Sequence, residues 1–266
     1  MTSSDNGGQP LLRLQGVSKN FGPVQALTDV NLAVRAGEVT ALIGDNGAGK
    51  SVTIKCIAGI HAPEHGQIYW EGQPVKIRTP RDAAALGIET VYQDLALCNN
   101  LDIVQNMFLG RERESHLVLD EEGMETAAQE TLSSLAVTSV RSIRQPVASL
   151  SGGQRQSVAI AKAVLWNTKL VIMDEPTAAL GVAQTRGVLD LVRRLAEKGH
   201  AALIVSHNMN DVFEVADRII VLYLGQMAAE VARSEVNQQQ LVELITTGQQ
   251  GGELPHVATT TNGATP

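Results

Sequence analysis

The residues Gly44-Asp45-Asn46-Gly47-Ala48-Gly49-Lys50-Ser51 are of the types that hold phosphate. They fill a GxxxxGK[ST] pattern directly after an apolar run, Glu38–Ile43, and directly before a segment with helical spacing. The glycines let the backbone curl until successive N–H groups face an anion, and a helix N-terminus beneath adds partial positive charge. Lys50 is placed to bridge the β- and γ-phosphates of a nucleotide, and the Ser51 hydroxyl to ligate Mg²⁺. A second group, Leu170-Val-Ile-Met-Asp174-Glu175, is an apolar run that delivers two acids at its carboxyl end. There Asp174 can hold Mg²⁺ through water, and Glu175 can polarise an attacking water as general base. Alone, such an Asp-Glu ending is commonly a solvated turn; downstream of a phosphate loop it acquires a chemical reading. A third group, Leu150-Ser151-Gly152-Gly153-Gln154, precedes a helical pattern. It is either a well-capped helix start or a second anion receptor, with Ser151 as both cap and phosphate donor. A second receptor is redundant within one chain, so its use is to close over nucleotide held by another subunit.

The elements that must position these residues are readable from periodicity. Leu11–Val17 and Val24–Val34 read as strands, as does Glu38–Ile43, and the helix after Lys50 stops at Gly59. Gln67–Trp70 and Gln73–Ile77 flank Glu71-Gly72 and read as a hairpin. Apolar runs at Ile88–Tyr92, Leu170–Met173, Ala201–Val205 and Arg218–Leu224 alternate with helical stretches, which predicts βα repetition and a parallel sheet. Residues 95–165 break that rhythm. They read as a helical insertion, with helices at Glu121–Leu135 and Gly152–Leu165.

With Leu150–Gln154 between the phosphate loop and the acidic strand, the sequence resembles the nucleotide-binding subunits of ABC transporters over residues 11–246. The resemblance implies an α/β fold: a P-loop NTPase core with a mostly parallel sheet, an antiparallel β subdomain and an inserted helical signature subdomain. It implies that Gln93, in Val-Tyr-Gln-Asp, contacts Mg²⁺ and water and senses a transmembrane partner. It implies that His207, in Val-Ser-His, contacts the γ-phosphate, and that Phe21 stacks on adenine. Two copies are then expected to sandwich ATP between the P-loop of one and Ser151–Gln154 of the other. One residue departs from the family pattern: Gly181 stands where an Asp usually follows the Leu of the D-loop, so contacts across the dimer that depend on that Asp are missing. The stretches Asp174–Val182 and Ser206–Met209, followed by Asp211–Arg218, resemble ATPases of monosaccharide importers, most of all the single-domain, fructose-type members. That resemblance implies ATP hydrolysis that energises sugar import through a polytopic permease, with an extracytoplasmic sugar-binding protein as an indirect partner. An exporter ATPase, uptake of another cargo, a soluble ABC protein acting on DNA or the ribosome, and a signalling module without turnover are the competing readings.

Composition narrows these. The 266 residues, 44% hydrophobic, are enough for one substantial core with a subdomain. A net charge of −7 opposes the counterion release that drives nonspecific nucleic-acid binding, so no nucleic-acid partner is expected. Cys56 and Cys98 lack ligand-like spacing, which fits a reducing compartment without disulfide or zinc framework. No apolar stretch approaches the ~18 residues of a membrane span, and MTSSDNGGQP lacks the blocks of a secretory signal. The expected location is therefore peripheral, on the cytoplasmic side of the cell membrane. Residues 1–10 and 247–266 read as solvated tails.

Overall fold

The computed structural model describes residues 9–115 and 118–249. In chain order the elements are β1 (Leu12–Phe21), β2 (Val24–Val34), β3 (Val39–Gly44), α1 (Lys50–Ile57), β4 (His65–Trp70), β5 (Gln73–Val75), α2 (Pro80–Ala85) and β6 (Ile88–Val91). There follow α3 (Ile103–Phe108), β7 (Glu114–Ser115), β8 (Val118–Leu119), α4 (Glu121–Ser134), α5 (Gly152–Val164) and β9 (Leu170–Asp174). The chain continues through α6 (Val182–Glu197), β10 (Ala201–Val205), α7 (Met209–Val215), β11 (Arg218–Tyr223), β12 (Gln226–Ala232) and α8 (Gln238–Thr247). The expected tails fall mostly on residues 1–8 and 250–266, which lie outside the described residues, and α8 runs one residue past the expected boundary at 246.

The main sheet has the order β12-β11-β3-β10-β9-β6, with the five strands from β11 to β6 parallel and β12 antiparallel at the edge. Both faces are covered, so its strands are continuous apolar runs rather than alternating ones. Val39, Ala41 and Ile43 of β3 point into one core with α5, α6 and α8, while Leu42 points into the other with Ile54 and Ile57 of α1. β9 and β10 divide in the same way: Val171, Met173, Ala202 and Ile204 face the first core, and Leu170, Ile172, Leu203 and Val205 the second. The second core is closed by a separate antiparallel sheet, β2-β1-β4-β5. This is the α/β architecture that the sequence predicts, including the antiparallel subdomain.

Residues 95–165 carry α4 and α5, close to the helices expected at Glu121–Leu135 and Gly152–Leu165, and also α3 and the small hairpin β7–β8, which the sequence reading did not name. The start of this insertion is laced to its end. Asn106, fully buried, accepts from the Cys98 N–H at 2.7 Å and donates to the Cys98, Leu101 and Asp102 carbonyls. Val147 and Ala148 in turn donate to the Leu101 and Asn99 carbonyls, each at 3.0 Å. The segment after Gln93 and the segment before Ser151 are thereby one hydrogen-bonded unit.

Candidate functional site

Because β3, β10, β9 and β6 are parallel neighbours, whatever follows their carboxyl ends emerges along one edge of the sheet. After β3 comes the loop Asp45–Gly49; at the end of β9, Asp174 and Glu175; after β10, His207; after β6, Gln93. Asn46 through Ser51, Gln93, Asp174, Glu175 and His207 all line one cavity of about 490 Å³. The sequence places these residues at separate strand ends, and the fold brings them together.

Close approaches and positive φ angles in the loop both call for glycine. A Cβ on Gly44 would lie 2.3 Å from the Leu222 carbonyl oxygen, and one on Gly49, at φ +99°, 2.7 Å from Leu27 Cδ2. The Lys50 ammonium donates to the carbonyls of Gly44 at 2.7 Å and Asp45 at 2.9 Å, which fixes it across the loop mouth. The turn joining β11 to β12 buttresses the loop from behind: Gly225 N–H donates to the Ala48 carbonyl at 3.1 Å.

Glu175 has a left-handed backbone, φ +51°, unusual for a residue with a Cβ. Its N–H donates to the Val205 carbonyl at 2.9 Å, and its Oε1 lies 2.8 Å from His207 Nδ1. The Glu175 side chain is mostly covered, while that of His207 is 74% exposed and so is placed by its backbone rather than by packing. Burial pushes the Asp174 carboxyl above its ordinary value, with the Glu175 charge adding to the effect. Burial also lowers the Lys50 ammonium, against the opposing pull of Glu175, Asp45 and Asp174. Each group is a charge the folded state holds at a cost that a phosphate or a cation can offset.

A stability prediction follows for Asp174. Its folded pKa lies above its unfolded one, so the ionised carboxylate penalises the fold once pH rises past the unfolded value of 3.8, most fully above the folded value. Asp174→Asn is therefore expected to raise the Tm at pH 7 by ~1–3 °C, small because the group is only half-buried, with the gain fading below pH ~4. Thermal melts at pH 7 and pH 3.5 check the sign: a variant less stable than the native chain at pH 7 contradicts it.

Ser151 caps α5 in a reciprocal box: its Oγ accepts from Gln154 N–H at 3.3 Å, and its N–H donates to Gln154 Oε1 at 2.8 Å. Gly153 lets α5 lie against the start of α6, since a Cβ there would meet Gln184 Cβ at 2.9 Å. Ser151, Gly153 and Gln154 line a second cavity, of about 320 Å³, with Gln184, Gly187 and Arg194. No residue lines both cavities. Phe21 also lies outside the first cavity's lining; its strand partner Val24 lines it. The Phe21 ring is 42% exposed, with His61 edge-on at 5.0 Å and the Lys19 ammonium over its face at 5.3 Å. Gly181 caps α6 without a side-chain bond.

Sequence reasoning passed over Gln25 and Ala26, which line the cavity beside the loop, because nothing in a strand's residue types marks it as a cavity wall. Ser51, Gln93 and Asp174 line the first cavity, and a set of hard oxygen donors with a single carboxylate suits Mg²⁺, which takes few protein ligands and keeps water and substrate oxygens.

A family model described as ABC transporter matches residues 27–178. The chain is 46% identical over 236 residues to the xylose/arabinose import ATP-binding protein of Sulfolobus acidocaldarius, covering 89% of this chain and 94% of that one. It is 44% identical over 245 residues to the fructose import ATP-binding protein of Rhizobium meliloti, covering 90% and 94%. Against the ribose import ATP-binding protein of Escherichia coli O157:H7 it is 37% identical, but spans only 46% of that protein's length. Among solved structures, an ATP-binding cassette of an ABC transporter in its ADP conformation superposes with a TM-score of 0.77 at 27% identity, over 90% of this chain and 96% of that one. A dimeric cassette in a post-hydrolysis state, bound to ADP and Pi, superposes with a TM-score of 0.70 at 27% identity, over 84% and 98%.

Proposed function

This chain belongs to the ABC transporter family, and from that premise we propose that it binds and hydrolyses ATP to drive import of a simple sugar through a separate membrane permease. One observation carries the ATPase reading: Lys50, Ser51, Gln93, Asp174, Glu175 and His207 line a single cavity, with Glu175 and His207 already paired at 2.8 Å. The sugar reading rests on the named cargo of the relatives, since an ATPase of this kind does not touch the cargo.

In this mechanism the backbone N–H groups from Gly44 to Ser51 and the Lys50 ammonium cradle and orient the ATP phosphates, with Phe21 beneath the base. Ser51, Gln93 and Asp174 would hold Mg²⁺, which would supply charge neutralisation for phosphoryl transfer. Glu175 orients a water for in-line attack on the γ-phosphorus and accepts its proton as the bond to the ADP oxygen breaks, while His207 fixes the carboxylate and reaches the γ-phosphoryl group. Ser151–Gln154 of a second copy complete the site from the far side, giving a homodimer with two composite sites. No helix of the described residues is long and apolar enough to cross a membrane, and we place the dimer peripherally, on the cytoplasmic face, against permease subunits fed by an extracytoplasmic sugar-binding protein.

The test is reconstitution of the full chain with its permease and binding protein in vesicles. ATP consumption is expected to rise with loaded binding protein, and labelled pentose or hexose to accumulate on the ATP side. ATP turnover with accumulation of a non-sugar cargo refutes the sugar assignment alone. Absence of turnover under all conditions refutes the ATPase.

A further inference from the structure

Two buried polar side chains stand just outside the cavity and beside its reacting residues. Thr177 follows Glu175 by two positions and is 9% exposed; Asp211 follows His207 by four and is 5% exposed. The Thr177 hydroxyl donates to Asp211 Oδ2 at 2.5 Å, away from solvent. Asp211 has no Lys, Arg or His partner within ion-pair distance among the described residues. The two buried side chains are therefore joined by a hydrogen bond rather than by an ion pair.

What the pair joins explains its presence. Thr177 lies in the turn that leaves β9, where Glu175 is held at φ +51°, a conformation that persists only when its surroundings over-determine it. Asp211 lies in the first turn of α7, whose start is fixed by Asn208 Oδ1 accepting from Asn210 N–H at 3.0 Å and by Asn208 N–H donating to Ser206 Oγ at 3.0 Å. His207 precedes that helix and is largely solvent-exposed, so packing does not place its ring. Three links cross between the two segments: Glu175 N–H to the Val205 carbonyl, Glu175 to His207, and Thr177 to Asp211. Only the third joins two buried side chains that lie outside the cavity.

We infer that Thr177 and Asp211 are a positioning pair that sets the Glu175 turn against the His207 helix, so that the general base and the histidine meet in register. The inference rests on the ATPase reading above. A pair acting in this way governs the chemical step and not nucleotide affinity, because neither side chain lines the cavity.

The experiment measures kcat and KM for ATP with the full-length native chain, Thr177→Val, Thr177→Ser, Asp211→Leu, Asp211→Asn and the Val/Leu double variant. Thr177→Val and Asp211→Leu are each expected to lower kcat about tenfold with KM changed less than about twofold. The double variant is expected to be no worse than the worse single one, since both remove the same link. Thr177→Ser, which keeps the donor, and Asp211→Asn, whose carbonyl still accepts, are expected to keep more than half the native kcat. If Thr177→Val does not fold, as judged by its melting curve, Thr177→Ala replaces it, since it needs no added room. Native kcat in Thr177→Val, a loss expressed in KM, multiplicative losses in the double variant, or an Asp211→Asn as impaired as Asp211→Leu each overturn the inference while leaving the ATPase standing. A native chain that turns over no ATP overturns both.

Discussion

Glu175→Gln is expected to bind ATP as tightly as the native chain, to hydrolyse it about 10²–10³-fold more slowly, and to accumulate as an ATP-bound dimer. The substitution keeps the shape of the side chain and its ability to bond His207, and it removes the group that takes the proton from water. The left-handed turn at residue 175 is held by backbone bonds to Val205 and Ala178, so it survives the change. Loss of the charge also relieves Asp174, whose carboxyl is pushed up in part by Glu175, and makes the cavity less repulsive to triphosphate. Binding and chemistry therefore separate. Single-turnover phosphate release and size-exclusion chromatography with and without ATP read the two halves of the prediction. A variant that turns over at the native rate removes Glu175 as the base, and one that holds ATP but stays monomeric removes the sandwich.

The parts of this site that were legible beforehand are those whose chemistry demands a residue type. Gly44–Ser51 needs glycine where a Cβ would strike Leu222 or Leu27, and that need shows in the sequence itself. The β9 strand and the helix capped by Ser151 are equally plain, because apolar runs and capping boxes are local signals. Strand β12 was not legible. Gln-Met-Ala-Ala-Glu-Val-Ala has little alternation, and the turn that leads into it, Leu224-Gly225, takes positive φ at both residues without the Asn-Gly or Asp-Gly pair that usually marks such a hairpin. Yet that turn supports Ala48 in the phosphate loop, so an element hidden from sequence reasoning helps to shape the most visible motif. Thr177 and Asp211 were hidden for a different reason. They are 34 positions apart, and only the parallel pairing of β9 with β10 brings the turns after them together.

The composite site is tested most directly by complementation between two damaged chains. Lys50→Ala removes a charge-assisted contact to phosphate, worth about 1.5–3 kcal/mol, and is expected to weaken ATP binding about ten- to a hundredfold and to abolish measurable turnover. Gly153→Asp is expected to be as inactive for another reason. Its Cβ would crowd Gln184 at 2.9 Å, displacing the α5 N-terminus from α6, and its carboxylate would repel the phosphate that this N-terminus should meet. Each lesion spoils both sites of its own homodimer. In a mixed dimer, the native phosphate loop of the Gly153→Asp chain faces the native Ser151–Gln154 turn of the Lys50→Ala chain, and one site is whole. Random assortment makes half the dimers mixed, each with one of two sites intact, so an equimolar mixture should recover about a quarter of native turnover if the sites act independently. Recovery well below that amount means that the two sites must fire together. No recovery at any ratio is the result expected if each chain completes its own site or if neither site works without the other, and it withdraws this support for independent composite sites.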